Sequence, residues 1–348
     1  MRKSILIGVM CLLAFAGKAS DSIAAKDFVP KISGLIRAKY EYNTSVNGHR
    51  FQVRNARFSL RGNIWPSYIH YKAEIDLSDE GEIKMLDAYI SYAPDKGVMK
   101  GFSATIGQQK VPFSTENLRS PYQFYFANRS FIGKQMSHDV RDVGLKLAYE
   151  YDKVFPFSLS LGIYNGDGLY NQQEWQKSMN YAARLVFHPF KPWQISFSLN
   201  SVKPDAIRMN LYDVNTFVDF FNFHIESEYV YKQYQHDVFK PTHAFLVFAS
   251  YDIFFKDRKH ADKFGYWPCK ISPLFRYDFM TDNNDGYADE TGAYLPTYPS
   301  RQRLTAGITF SPGIPFLSDI RLNYEHYIYE NPQLNQDNKL VLECVARF

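Results

Sequence analysis

The stretch ISGLIRAKYEY, residues 32–42, alternates between two kinds of side chain. Ile36 and its even-numbered neighbours form an apolar face, whereas Arg37, Lys39 and Glu41 belong to the opposite face. Successive side chains of a β-strand point to opposite sides of the sheet. A basic side chain facing lipid costs about 2–4 kcal/mol at the membrane midplane, so the charged face must meet water. The stretch therefore predicts a strand between lipid and a wet interior.

The same alternation recurs along the chain, at residues 56–64, 69–76, 86–92, 143–151 and 303–310. In the segment 86–92, Leu86 is assigned to the lipid face and Asp87 to the interior. Aromatic residues make up 17% of the chain, yet its mean hydropathy is −0.35. A membrane protein can be this polar when half of each segment faces water. The sequence therefore predicts an all-β fold, a transmembrane antiparallel β-barrel.

The connections between these segments differ in length. Short ones with turn residues occur at 65–67, 94–97, 152–156, 188–192 and 311–317, and long polar ones at 110–140, 201–210 and 281–300. Short periplasmic turns and long extracellular loops are typical of a barrel. Residues 216–233 are too many for one strand of about 9–11 residues. Dividing them near Phe221 and Asn222 gives an even count of 16 strands.

The N-terminus predicts a cleaved signal peptide over residues 1–19. Arg2 and Lys3 precede an uncharged, mostly apolar stretch, and Gly17 and Ala19 are small residues at a cleavage site. A lead-in over 20–30 and a single β-barrel domain over 31–348 would follow. The processed chain would carry 37 basic and 36 acidic residues. It has no basic block, so we expect no nucleic-acid partner.

The C-terminal strand places Leu342 and Phe348 on one face. A terminal Phe resembles the assembly signal of outer-membrane porins, and predicts that the barrel-assembly machinery recognises Phe348. The alternative is a soluble edge strand that ends in Phe by chance. The predicted barrel and the terminal Phe both favour the outer membrane of a Gram-negative bacterium as the location.

Several short motifs carry a family resemblance over residues 30–170. The most recognisable are FQVRNAR at 51–57 and GQQKVPFS at 107–114, and the others occur at 74–76, 87–89, 129–130, 141–144 and 165–168. Their order resembles the phosphate-selective porin O and P family. The resemblance implies a homotrimer of 16-stranded barrels, with loops folded into the pore and anions passing lumenal arginines. Asn55 stands where the family often has another arginine.

The function expected from these observations is passive diffusion of small solutes, with a preference for phosphate-like anions. Guanidinium groups bind such oxygens bidentately. The lipid bilayer and small anionic solutes are then the partners, and neither a cofactor nor a metal is expected. The side chains expected to line the pore and contact anions are Arg37, Lys39, Arg54, Arg57, Arg61, Lys72, Lys110, Arg119, Arg129, Lys134, Arg184 and Arg303.

Other interpretations of the same residues stay open. In one alternative the barrel is non-selective or plugged and has a structural or adhesive role. Its inward-facing charges would then only hydrate the lumen and pair across strands. The acidic connection at 281–300 would repel incoming anions. An outer-membrane hydrolase would need a nucleophile and a base, and Ser137, His138 and Asp139 are the nearest candidates. Neither a His-Glu-x-x-His motif nor a Gly-x-Ser-x-Gly motif occurs in the sequence.

Overall fold

The computed structural model describes residues 28–348 except 67, 138, 167, 171, 204–206, 256–268, 313–316 and 335–336. The predicted signal peptide, residues 1–19, lies outside the described residues. Within the described part of the chain, no helix is both long and apolar enough to cross a membrane.

Sixteen antiparallel strands form one closed barrel. They are β1 (Lys31–Asn43), β2 (Gly48–Trp65), β3 (Ile69–Asp79), β4 (Glu82–Tyr92), β5 (Phe102–Lys110), β6 (Arg141–Tyr151), β7 (Phe157–Tyr164), β8 (Asn180–Phe190), β9 (Trp193–Val202), β10 (Met209–Phe220), β11 (Phe223–Tyr234), β12 (Thr242–Tyr251, continued as Ile253–Phe255), β13 (Cys269–Met280), β14 (Arg301–Ser311), β15 (Leu317–Tyr329) and β16 (Lys339–Arg347). The barrel closes where β16 pairs with β1. The predicted fold class, strand count and division near Phe221 are confirmed.

The barrel wall is apolar outside and polar inside. Along β1, Arg37 is 2% exposed and Glu41 is 3% exposed, whereas Ile36 is 44% exposed. This arrangement inverts that of a soluble protein, in which ionised groups are seldom buried. The face assignment made for β1 from the sequence is thus confirmed.

Two β-bulges move side chains to a face that strict alternation does not predict. In β4 the register passes from Asp87 to Met85, which leaves Leu86 as an extra residue. Leu86 is 4% exposed and lines the interior, so its assignment to the lipid face was wrong. A similar shift in β2 lets the consecutive residues Arg54 and Asn55 both line the interior. One inserted residue exchanges the faces of all residues beyond it, compared with strict alternation.

The connection between β5 and β6, residues 111–140, folds into the barrel. It contains helix α1 (Thr115–Leu118) and a π-helical turn over Ile132–Met136. Its buried apolar side chains form a cluster with side chains of β7–β15, comprising Val111, Phe113, Phe126, Phe131, Ile132 and Met136 from the connection and Leu211, Val230, Leu246, Phe248 and Tyr327 among those of the wall. We call residues 111–140 the inner loop. Its packing against β7–β15 leaves the space beside β1–β6 open.

Candidate functional site

Buried arginines of the wall hold the inner loop by its backbone. Each guanidinium donates to a loop carbonyl oxygen, in the pairs Arg37–Ala127 (2.8 Å), Arg276–Asn128 (3.1 Å), Arg303–Arg129 (2.8 Å) and Arg321–Tyr122 (3.1 Å). Loop N–H groups donate in return to wall side chains, from Thr115 to Glu228, from Ala127 to Asn323 and from Phe131 to Asp278. Such contacts satisfy buried polar groups on both sides. They fix the loop across the lumen.

Between the inner loop and β1–β6 lies a narrow cavity of about 210 Å³, which we call the constriction. Its basic lining residues are Arg37, Arg54, Arg57, Lys84, Lys110, Arg119, Arg129 and Arg141, and its acidic ones are Asp79 and Asp139. The structure therefore brings together six of the twelve side chains expected from the sequence to line the pore. Four of the basic residues lie on β1 and β2 or at the end of β5, and two lie on the loop.

Most of these cations are neutralised by carboxylates behind them. Arg54 pairs with Asp79 at 2.5 Å, and Arg57 pairs with Asp76 at 2.8 Å. Comparable ion pairs join Arg37 to Glu343 (2.6 Å), Arg141 to Asp87 (2.7 Å), Lys84 to Asp79 (3.2 Å) and Arg119 to Glu226. Surplus positive charge must therefore come from the members that have no such partner.

Lys110 and Arg129 are the constriction cations without a carboxylate within 4 Å in the described part of the chain. The Lys110 ammonium donates to the carbonyl oxygens of Asn117 (2.9 Å), Leu118 (3.1 Å) and Arg119 (2.7 Å). The Arg129 guanidinium donates to Oδ1 of Asn117 at 3.0 Å. Burial lowers the pKa of Arg129 from its ordinary value. A guanidinium nevertheless remains charged at neutral pH.

A wider cavity of about 1070 Å³ lies between the constriction and the end of the barrel that carries the short turns. We call it the vestibule, and its basic lining residues are Lys31, Arg57, Arg61, Lys72, Lys146 and Arg347. Lys72 pairs with Glu74 at 2.8 Å and with Asp87 at 2.5 Å. Arg57 and Pro121 line both cavities, so the two lie next to each other along the basic wall of β1–β6, and we call this stretch of the lumen the path.

Four of the side chains expected to line the pore lie away from this path. Lys39 is buried and donates to Glu41 and Asn128. Arg184 lies beneath the loop and donates to Thr115, Ser196 and Ser198, and Arg303 is buried against Asp278. Lys134 is exposed and lines neither cavity. At these positions an inward-facing cation supports the loop or lies above it.

Sequence reasoning missed two constriction residues, Lys84 and Arg141. Arg141 opens one of the family-like motifs, at 141–144, so its place directly after the long connection could have indicated it. Lys84 lies on the far side of the Leu86 bulge from Asp87. Without knowledge of the bulge, alternation gives Lys84 the wrong face.

The acidic connection at 281–300 is partly neutralised by its own contacts. The Asp282 carboxylate accepts from the backbone N–H of Ser300 at 2.7 Å and pairs with Lys240 at 2.8 Å. Burial alone would raise the pKa of Asp282, but the hydrogen bonds from Lys240 and Ser300 outweigh it and lower that pKa. Asp289 accepts from Thr291 and Ala293 of its own turn. The pairing with Lys240 therefore makes the mouth less negative than a count of acids suggests, whereas the contacts of Asp289 leave its charge in place.

The described residues that were considered as hydrolase candidates make other contacts. The Ser137 hydroxyl accepts from Asn117 at 2.7 Å and donates to the Ile132 carbonyl at 3.2 Å. Asp139 lines the constriction, and His138 lies outside the described residues.

Comparison with known proteins agrees with this geometry. Residues 34–206 match the model of the family described as phosphate-selective porin O and P. No individually curated protein matches the chain by sequence.

Several solved porins share the fold at low identity. The outer membrane channel DcaP of Acinetobacter baumannii has a TM-score of 0.60 and 12% identity over 95% of this chain and 100% of that one. Pseudomonas putida OprB gives 0.61 and 12%, over 93% and 94%. The anion-selective porin from Comamonas acidovorans gives 0.58 and 9%, over 92% and 98%. Residues 34–206 thus match the phosphate-selective porin O and P family, and the chain is a porin channel of the Gram-negative outer membrane.

Proposed function

We propose that this channel prefers anions and lets small phosphate-like solutes diffuse passively through the constriction. The observation that carries the proposal is the pair Lys110 and Arg129, which line the constriction and lack a carboxylate within 4 Å in the described part of the chain. Fixed charge at a poorly hydrated constriction offsets the cost of removing water from a permeating ion. The neutralised cations around the pair supply hydrogen-bond donors more than net charge.

The vestibule extends the same preference toward the periplasm. Arg61 and Lys146 line it and have no carboxylate within 4 Å among the described residues. An anion leaving the constriction therefore meets further positive charge on the same wall. A family described as phosphate-selective and a Comamonas porin described as anion-selective both support this proposal, although identity to that porin is 9%.

Reversal potentials in planar bilayers test the preference. With a KCl gradient we expect the purified channel to favour chloride, and phosphate to reduce the chloride current. Removing one unit charge about 6 Å from the ion changes its energy by about 0.7 kcal/mol in water, roughly a threefold change in occupancy. Arg129→Ala and Lys110→Ala should each lower the anion-to-cation permeability ratio by about that factor.

Lys134→Ala is the matched control, because it removes one positive charge from the same loop without touching the path. A cation-selective channel without substitutions would contradict the proposal. An equal shift in Lys134→Ala would place the charge effect elsewhere.

We also propose that the channel is a homotrimer and that Phe348 directs its assembly into the outer membrane. The Phe348 ring is 51% exposed and packs against Phe58, with ring centres 6.0 Å apart. Its backbone exchanges two hydrogen bonds with Gly34 of β1, where the barrel closes. We expect deletion of Phe348 to reduce the folded barrel in outer-membrane fractions severalfold. Light scattering in detergent measures the oligomer, and a monomer would contradict the trimer.

A further inference from the structure

Five buried oxygen atoms that make no well-aligned hydrogen bond lie where the inner loop begins, against β10 and β11. They are Oδ1 and Oδ2 of Asp213, Oδ1 of Asn215, Oε2 of Glu228 and Oγ of Ser114. None of the four residues is more than 2% exposed. Buried polar side-chain atoms nearly always have a partner. Four of the five atoms are carboxylate or amide oxygens, which accept and do not donate when the carboxyl groups are ionised, so the group indicates something that donates to, or coordinates, them.

Strand register and loop contacts bring these atoms together. Asn215 lies directly opposite Glu228, and Asp213 lies two residues away on the same interior face of β10. The carboxyl groups of Asp213 and Glu228 are within hydrogen-bonding reach of each other. Asp213 is also within reach of the Ser198 hydroxyl and the backbone N–H of Ser114, and Glu228 is within reach of the Ser114 hydroxyl. The backbone N–H of Thr115 donates to the other Glu228 oxygen at 3.0 Å, which places Ser114 beside them.

The charges at this place do not balance. Arg184 approaches Asp213 to 3.6 Å, but its hydrogen bonds go to the hydroxyl groups of Thr115, Ser196 and Ser198. In the described part of the chain, Glu228 has no basic side chain within 4 Å. The nearby Arg119 pairs with Glu226 instead. Two buried carboxylates thus share one guanidinium, and an uncompensated buried carboxylate is costly.

We propose that Asp213, Asn215, Glu228 and Ser114 bind one Ca²⁺ ion, which fastens the base of the inner loop to the barrel wall. Carboxylate, amide and hydroxyl oxygens suit Ca²⁺, which takes six to eight oxygen ligands in flexible geometry and accepts waters among them. One proton shared between the two carboxyl groups would connect two of the oxygens. A cation contacts all of them and also removes the excess negative charge.

Calorimetry on the folded barrel in detergent, after EDTA treatment, tests the site directly. We expect one Ca²⁺ bound per chain. Heat-modified electrophoresis should show that Ca²⁺ raises the unfolding midpoint by at least about 3 °C, and that Mg²⁺ raises it less. Glu228→Gln and Asp213→Asn should each abolish the Ca²⁺-dependent rise. Asp282→Asn, in the exposed acidic connection, should retain it.

Three results would overturn the site. The first is an EDTA-treated barrel, without substitutions, that binds no Ca²⁺. The second is a Glu228→Gln barrel that is more stable at every Ca²⁺ concentration, which would indicate a proton shared with Asp213. The third is loss of the Ca²⁺ effect in Asp282→Asn, which would place the ion at the barrel mouth. Should the two carboxyl variants fail to fold, calorimetry on the unsubstituted barrel still decides.

Discussion

At the scale of single residues, alternation predicts correctly until a strand gains a residue. Arg57 and Arg61 face the interior as predicted, because β2 continues without interruption beyond its bulge. Leu86 does not follow the prediction, because the bulge in β4 turns it inward beside Asp87. A bulge depends on pairing with the neighbouring strand. A single strand's sequence therefore does not reveal it.

Glycines in the wall give a prediction at the same scale. A Cβ at Gly144 would lie 2.0 Å from the backbone oxygen of Ile163, whereas one at Gly34 would lie 2.1 Å from the tip of the Phe348 ring. A ring can rotate away, but a paired strand cannot move without losing its ladder. We expect Gly144→Ala to lower the free energy of unfolding by about 1–3 kcal/mol more than Gly34→Ala does. Denaturant unfolding of both variants measures this, and equal losses would contradict it.

At the scale of elements, strands and connections were predictable and the path of the inner loop was not. The sequence shows a long connection between β5 and β6, but its position depends on contacts with strands far along the chain, such as that of Arg303 with the Arg129 carbonyl. The same contacts explain why several predicted pore cations lie away from the path. An inward-facing arginine can bind a carbonyl oxygen of the loop as readily as a solute.

Arg303 is the element-scale test of this support. Arg303→Met removes the hydrogen bond to the Arg129 carbonyl, so we expect a larger and noisier single-channel current. The change also leaves Asp278 buried without its 2.7 Å partner, at a cost of about 3–5 kcal/mol. The double variant Arg303→Met with Asp278→Asn should recover part of that stability but not the quiet current. The control is Arg50→Met, because the Arg50 side chain is 57% exposed. Unchanged conductance in the single variant would mean that other anchors suffice.

At the scale of the whole molecule, the lumen consists of a packed half and an open half. Apolar loop side chains and the ion pairs of Arg276 and Arg303 that support the loop occupy the side of β7–β15, and the open path follows the basic wall of β1–β6. Counting inward-facing charges along the sequence gives only a small excess of bases, because that count adds the two halves together. The proposed preference for anions rests on this separation, which becomes visible only once the loop is in place.

A path whose surplus charge comes from a few unpaired cations should lose selectivity in salt. The Debye length falls from about 10 Å at 0.1 M to about 3 Å at 1 M. Lys110, Arg129, Arg61 and Lys146 act on an ion across the width of the passage, so screening should weaken them, whereas direct coordination would resist it. We expect the chloride-to-potassium permeability ratio, measured at a constant tenfold gradient, to fall severalfold between these concentrations. In Arg129→Ala the fall should be smaller, because less unpaired charge remains to be screened. A ratio that stays constant with salt would show that contact with the anion, and not the field of the basic wall, sets the preference.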